Sequence, residues 1–151
     1  MSGSARKRAI ILAIVATDST FVRTQRPGLD TTGRGNDETF VGKCLHCGAT
    51  LVIGIDGEPR SLATIEHILP RAHGGTDALE NLGLACARCN SEKGVRHDSK
   101  RTFGGRLADV VAALSEKRME RWVAPSDELR ERYERLLERS AESREKPKKR
   151  R

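Results

Sequence analysis

Apolar residues recur at helical spacing near both ends of the chain and cluster as strand formers in its middle. Ile10, Ile11, Ile14 and Val15 fall three and four positions apart, which predicts a helix over 5–18 with one packed face. Leu107, Val110, Val111 and Leu114 predict a second helix over 105–122. Pro125 ends it, and Ser126 is suited to cap a third helix whose stripe is Leu129, Tyr133 and Leu136. Glu128 and Arg132, and Glu131 and Arg135, stand four apart in the favourable order and read as a solvated face. In the middle, Leu51, Val52, Ile53 and Ile55 read as a strand, and Asp56-Gly57-Glu58-Pro59 as a turn. Leu62 to His67 then reads as a second, antiparallel strand. Pro70, Gly74 and Gly75 make 69–78 a loop, Asn81 to Leu84 leads onward, and a short helix runs from near Ala87 to Gly94. Residues 24–39, rich in Thr, Gly, Arg and Asp, read as a loop whose Arg23, Arg26 and Arg34 region is solvated surface. The middle of the chain is therefore ordered strand, strand, helix.

Composition sharpens this picture. Of the 151 residues, 36% are apolar and only 3% aromatic, so the core is small and needs a metal, disulfides or a partner. The net charge of +7 favours a polyanionic partner and remains basic if the cysteines bind a dication as thiolates. Four cysteines form two CxxC pairs, Cys44 with Cys47 and Cys86 with Cys89. As disulfides each pair would close a very small loop, whereas four thiolates converging on one tetrahedral zinc satisfy all of them. That reading places the chain in a reducing compartment, the cytoplasm. Arg6, Lys7 and Arg8 before the apolar run Ala9 to Ala16 have the outline of a secretory signal. No small-residue cleavage site follows, and a packed helix accounts for the run better. It is too short to span a bilayer, so no membrane partner is expected.

Three stretches carry a more specific signal. These are Thr64-Ile65-Glu66-His67-Ile68-Leu69-Pro70-Arg71-Ala72-His73-Gly74-Gly75, then Glu80-Asn81-Leu82, then Cys86-Ala87-Arg88-Cys89-Asn90-Ser91-Glu92-Lys93-Gly94. Over roughly 40–96 the chain resembles the HNH endonucleases, the ββα-metal nucleases, in the subgroup with a four-cysteine zinc site. The chemistry can be stated without the family. Phosphodiester hydrolysis needs an activated water, neutralised phosphate charge and a stabilised leaving oxygen. The imidazole of His67 can take a proton from water near neutral pH. A carboxylate at Glu66 and an amide oxygen at Asn90 suit a hard cation such as Mg²⁺ or Mn²⁺. In a regular strand Glu66 and His67 point to opposite faces, so one site can use both only by wrapping around the strand end.

The resemblance implies His67 as general base and Asn81 as the residue that orients it through the loop. It implies Glu66 and Asn90 as ligands of a catalytic Mg²⁺ or Mn²⁺, with Cys44, Cys47, Cys86 and Cys89 on a structural Zn²⁺. Glu66 stands where many relatives have Asp, and Asn90 stands where the last His of the motif name would be. Arg71, Arg88, Lys93 and Arg96 are expected phosphate contacts, Lys93 by its match to the terminal basic position. His73 and His97 are expected to be surface residues, and His46 to be no zinc ligand beside four cysteines. The fold class expected is α+β, a small ββα-metal core stapled by a four-cysteine zinc site and flanked by N- and C-terminal helices. The chain divides into an N-terminal helix and loop (1–39), the HNH domain (40–100), a helical extension (101–145) and a basic, disordered tail (146–151). The function expected is metal-dependent cleavage of DNA, most simply double-stranded. The competing readings are an inactive zinc-stapled nucleic-acid-binding module, and a nuclease subunit of a homodimer or a larger assembly. The retained set Glu66, His67 and Asn90 favours the enzyme.

Overall fold

The structure, a computed structural model, describes residues 4–27, 36–94 and 105–145. Expectations for Arg34, Arg96, His97 and the basic tail fall outside those residues.

The chain opens with helix α1 (Ala5–Ala16), started by Ser4, whose hydroxyl accepts the Lys7 amide at 3.2 Å. One packed face was expected here. Instead Ala9, Ile11, Leu12, Ala13, Ile14, Val15 and Ala16 are all buried. Nothing polar interrupts Ala9 to Ala16, so the helix is covered on several sides, as an all-round apolar helix must be. Thr17 terminates it by returning its hydroxyl to the Ala13 carbonyl at 2.8 Å.

Strands β1 (Val22–Pro27), β2 (Asn36–Lys43) and β3 (Thr50–Gly54) form an antiparallel sheet in the order β1-β2-β3. Most of β1 and the start of β2 lie inside the stretch 24–39 expected to be a loop. Their pairing is carried by polar cross-strand contacts that a hydrophobic pattern does not reveal. Arg23 reaches Glu38 at 2.8 Å, Gln25 reaches the same carboxylate at 2.8 Å, and Arg23 also contacts Glu128 at 3.1 Å. The two carboxylates raise the pKa of the Arg23 guanidinium above its ordinary value, hydrogen bonding to Glu38 being the larger cause.

The strand expected to pair with 51–55 pairs elsewhere. After β3, Gly57 turns the chain at φ +86°, and the return makes only short contacts, Gly54 N to Glu58 O at 2.8 Å and Arg60 N to Val52 O at 2.8 Å. Pro59 lacks the amide hydrogen a longer ladder would use. The chain then leaves, and β4 (Ala63–His67) pairs antiparallel with β5 (Leu82–Cys86), placing Glu66 opposite Gly83 and His67 opposite Leu82. Helix α2 (Ala87–Lys93) follows β5 directly. The strand–strand–helix unit is therefore β4–β5–α2, with 68–81 as its connection, rather than β3–β4–α2.

Two further helices complete the α+β fold, α3 (Gly105–Glu120) and α4 (Asp127–Glu145). Ser126 accepts the Leu129 amide at 3.3 Å, the expected cap. The main core joins α1 to Phe40, Leu51, Ile53, Leu82, Leu84 and Tyr133, while Leu45, Ile68 and Leu114 form a second cluster beneath α3. Aliphatic side chains make up most of both, with Phe40 and Tyr133 as the buried aromatics, in keeping with the low aromatic content.

Arg118 of α3 is wholly buried. Its guanidinium donates to the carbonyls of Leu82 (2.8 Å), Thr17 (2.8 Å) and Leu79 (3.3 Å) and to the Thr17 hydroxyl (2.7 Å), and it lies 4.8 Å from the Trp122 ring centroid. It thus ties α3 to the end of α1 and the start of β5. Burial, the largest influence on it, draws its pKa below the usual arginine value. Among the described residues no helix is long and apolar enough to cross a membrane.

Candidate metal centre and hydrolytic site

The two CxxC segments meet. Cys44 lies just past β2, and a tight turn follows in which Cys44 N bonds Ala49 O at 2.8 Å and Gly48 adopts φ +75°. That turn swings Cys47 back beside Cys44. Cys86 ends β5 and Cys89 sits in the first turn of α2. The four Sγ atoms all lie within 4.8 Å of one another and none is in a disulfide. Backbone amides face the sulfurs, Ala49 N on Cys47 at 3.4 Å and Cys86 N on Cys44 at 3.2 Å. The Ala49 amide is the main reason the Cys47 thiol is drawn down to about 7, whereas burial pushes Cys89 upward. Four clustered sulfurs cannot all ionise unaided, and a dication at their centre removes that conflict. The donor set is that of a tetrahedral structural zinc.

The expected hydrolytic residues divide between the two faces of β4. On the face toward α2, the Glu66 carboxylate is fully buried. One of its oxygens is hydrogen-bonded to His46 Nε2, and the other lies 3.4 Å from Lys93 Nζ. Lys93 also donates to the His67 carbonyl at 3.0 Å. Asn90, nearly one turn earlier on α2, donates from Nδ2 to the Thr64 hydroxyl at 2.9 Å and to Ile65 O at 3.2 Å.

One expectation changes here. Lys93 does not face a phosphate, because its side chain is 2% exposed and engaged inside. His46 lies outside the cysteine cluster, as expected, and anchors Glu66 from within the first cysteine turn. The composition of this face still fits a hard cation. Glu66 Oε1 is buried without a hydrogen bond, and the hydrogen bonds holding Asn90 use its nitrogen, which leaves its amide oxygen as a ligand atom. Lys93 is the charge such a cation would displace.

His67 faces the other way, at the strand end, with its side chain 23% exposed. Its Nε2 lies 2.8 Å from Asp77 Oδ1 and 3.1 Å from Arg71 Nε. Arg71 Nη2 spans both Asp77 oxygens at 2.7 and 3.0 Å, and Arg6 of α1 reaches Asp77 Oδ2 at 3.2 Å. These contacts hold the Asp77 carboxyl below its ordinary pKa, the His67 hydrogen bond first and the Arg71 one next among the causes that lower it. Asp77 is absent from the sequence reading because it sits in a polar loop with no periodicity, ten positions from its partner.

Asn81 shapes that loop. Its Oδ1 accepts Leu69 N at 2.8 Å, and its Nδ2 donates to Leu69 O at 3.1 Å and Thr76 O at 2.8 Å. It touches the loop, not the His67 ring. Gly75 is packed so closely that a Cβ there would stand 1.7 Å from Leu69 O. Arg88 is 87% exposed beside Glu92, on the outside of α2.

Comparison with curated proteins and with solved structures gave no match. The family model described as HNH endonuclease matches residues 44–96. That segment runs from the first cysteine of the cluster through β4, β5 and α2, and over it the chain is similar to the HNH endonucleases.

Proposed function

We propose that this protein is an endonuclease that hydrolyses DNA phosphodiester bonds in the presence of Mg²⁺ or Mn²⁺, with His67 as general base. The observation that carries this reading is the placement of His67: a part-exposed imidazole at the end of β4, held by an acid, inside an HNH domain. Glu66 and Asn90 would hold the catalytic cation, which supplies charge neutralisation at the phosphate and at the leaving oxygen. His67 accepts the proton of the attacking water as the new P–O bond forms and the scissile P–O bond breaks, the leaving oxygen being protonated from solvent. Asn81 is a positioning residue, because it fixes the loop that leaves β4 immediately after His67. Arg71 and Arg88 offer exposed guanidinium groups to the backbone of double-stranded DNA, which gives affinity without sequence information. Arg96 keeps its expected phosphate role on sequence grounds. The four cysteines hold zinc as a structural staple.

The test is cleavage of a supercoiled plasmid with Mg²⁺ or Mn²⁺ by wild type and His67→Ala. Wild type is expected to cut, and the variant to cut about 10²–10⁴-fold more slowly with its DNA affinity retained. Equal rates would remove His67 as the base. Binding without cleavage by the wild type would make the domain a zinc-stapled DNA binder.

A further inference from the structure

We infer that Asp77 fixes the tautomer of His67, so that the ring's proton-accepting nitrogen is Nδ1, with Arg6 and Arg71 holding Asp77 in place. This rests on the reading of His67 as base and adds a positioning residue outside the expected set.

The argument follows from donors and acceptors around one atom. His67 Nε2 has two neighbours within hydrogen-bond distance, Asp77 Oδ1 at 2.8 Å and Arg71 Nε at 3.1 Å. They demand opposite things. An ionised carboxylate only accepts, so it needs hydrogen on Nε2. A guanidinium only donates, so it needs Nε2 bare. Both cannot be satisfied by one ring at one time.

Three observations favour the carboxylate. It is the shorter of the two contacts. Arg71 is already bound through Nη2 to both oxygens of Asp77, so its charge is satisfied whichever way the ring is protonated. With Nε2 bare, its lone pair would face the Asp77 oxygen at 2.8 Å with no hydrogen between them. Asp77 itself stays ionised between two guanidinium groups, one on each flank. A neutral ring with hydrogen on Nε2 has its lone pair on Nδ1, the logic by which a carboxylate orients a catalytic imidazole in other hydrolases.

The anchor has a further consequence. Arg6 belongs to α1, outside the matched segment 44–96, so the base is steadied by a helix beyond the domain that carries it. Arg71 is 65% exposed and can follow a phosphate, which would leave Arg6, 3.2 Å from Asp77 Oδ2, as the second cation on that carboxylate. The carboxylate therefore keeps one cationic partner when substrate takes the other.

The experiment is long-range ¹H–¹⁵N correlation spectroscopy of histidine-labelled, zinc-loaded protein at a pH where the ring is neutral, with His67 assigned by its loss in His67→Ala. Hydrogen on Nε2 is expected in the wild type. Asp77→Ala is expected to mix the two tautomers and to slow Mg²⁺-dependent cleavage by about tenfold or more, with the Kd for DNA within about twofold. Asp77→Glu should recover part of both. Hydrogen on Nδ1 in the wild type would overturn the inference, whatever the variants do. So would an Asp77→Ala protein that keeps the wild-type tautomer and rate. If the wild type shows the Nε2–H ring but cuts no DNA, the nuclease reading falls while the tautomer assignment stands.

Discussion

Replacing Arg118 with Met removes a guanidinium and leaves a side chain of similar length. Four hydrogen bonds vanish, and the carbonyls of Leu82, Thr17 and Leu79 and the Thr17 hydroxyl lose a donor in the interior. Bonds to a charged group are worth about 1.5–3 kcal/mol each, so a simple sum would exceed the stability of many domains. The sum overstates the effect, because Met no longer carries the desolvation cost of a buried cation, and the Thr17 hydroxyl keeps its own bond to Ala13 O. A buried neutral acceptor left without its donor costs about 1–3 kcal/mol, and with part of that offset by the relieved desolvation a net loss of about 3–5 kcal/mol is expected here. For a chain of this size each kcal/mol moves Tm by roughly 2–4 °C, so Tm should fall by about 10 °C. The assay is urea unfolding of zinc-loaded protein followed by circular dichroism, with Arg118→Lys as an intermediate. A midpoint lowered at constant slope would report lost stability rather than an altered denatured state. A loss under about 1 kcal/mol for Arg118→Met would refute the reasoning and mean that the four acceptors find other partners.

Two further outcomes probe the staple and the loop. Cys86→Ser, or removal of zinc by a chelator, should unfold the centre, since structural zinc supplies much of the folding energy of so small a core. A soluble variant with unchanged melting would refute the zinc role. Gly75→Ala should force the 68–81 connection apart, because its Cβ would meet backbone rather than a movable side chain. Plasmid cleavage should drop further than melting does, and wild-type cleavage would show that the loop does not govern His67.

The legible parts of the fold were those written in short-range pattern. The helix limits followed from apolar spacing, Ser126 and Pro125, and the cysteine cluster followed from the paired CxxC motifs. The pairing of strands did not. β3 and β4 look like a hairpin in sequence, yet β2 and β5 claim them, because Pro59 spoils the short return and β5 lies across the 68–81 loop. β1 was hidden because its contacts with β2 are Arg23, Gln25 and Glu38, polar residues that read as loop. At the site, motif letters located His67, Glu66 and Asn90 but not their surroundings. Asp77, His46 and Arg6 reach them by folding alone, from positions with no signature of their own. Lys93 shows the converse: its type suggested a surface cation, but it is buried against Glu66 and the His67 carbonyl.

The packing of α1 against α4 also sets a timetable. A ribosome makes α1 early and α4 last among these elements, at about 5–20 residues per second. For roughly ten seconds Ile11, Leu12 and Ile14 wait without the helix that closes over them. The strands carrying His67 emerge in that interval, yet the core beneath them is not sealed until residues near Tyr133 and Leu136 arrive. The nascent chain is therefore expected to stay sticky until α4 docks, and the proposed hydrolytic site to mature only then. Shortening α4 would prolong that exposure, and its cost would be read as aggregation during synthesis before it was read as lost stability.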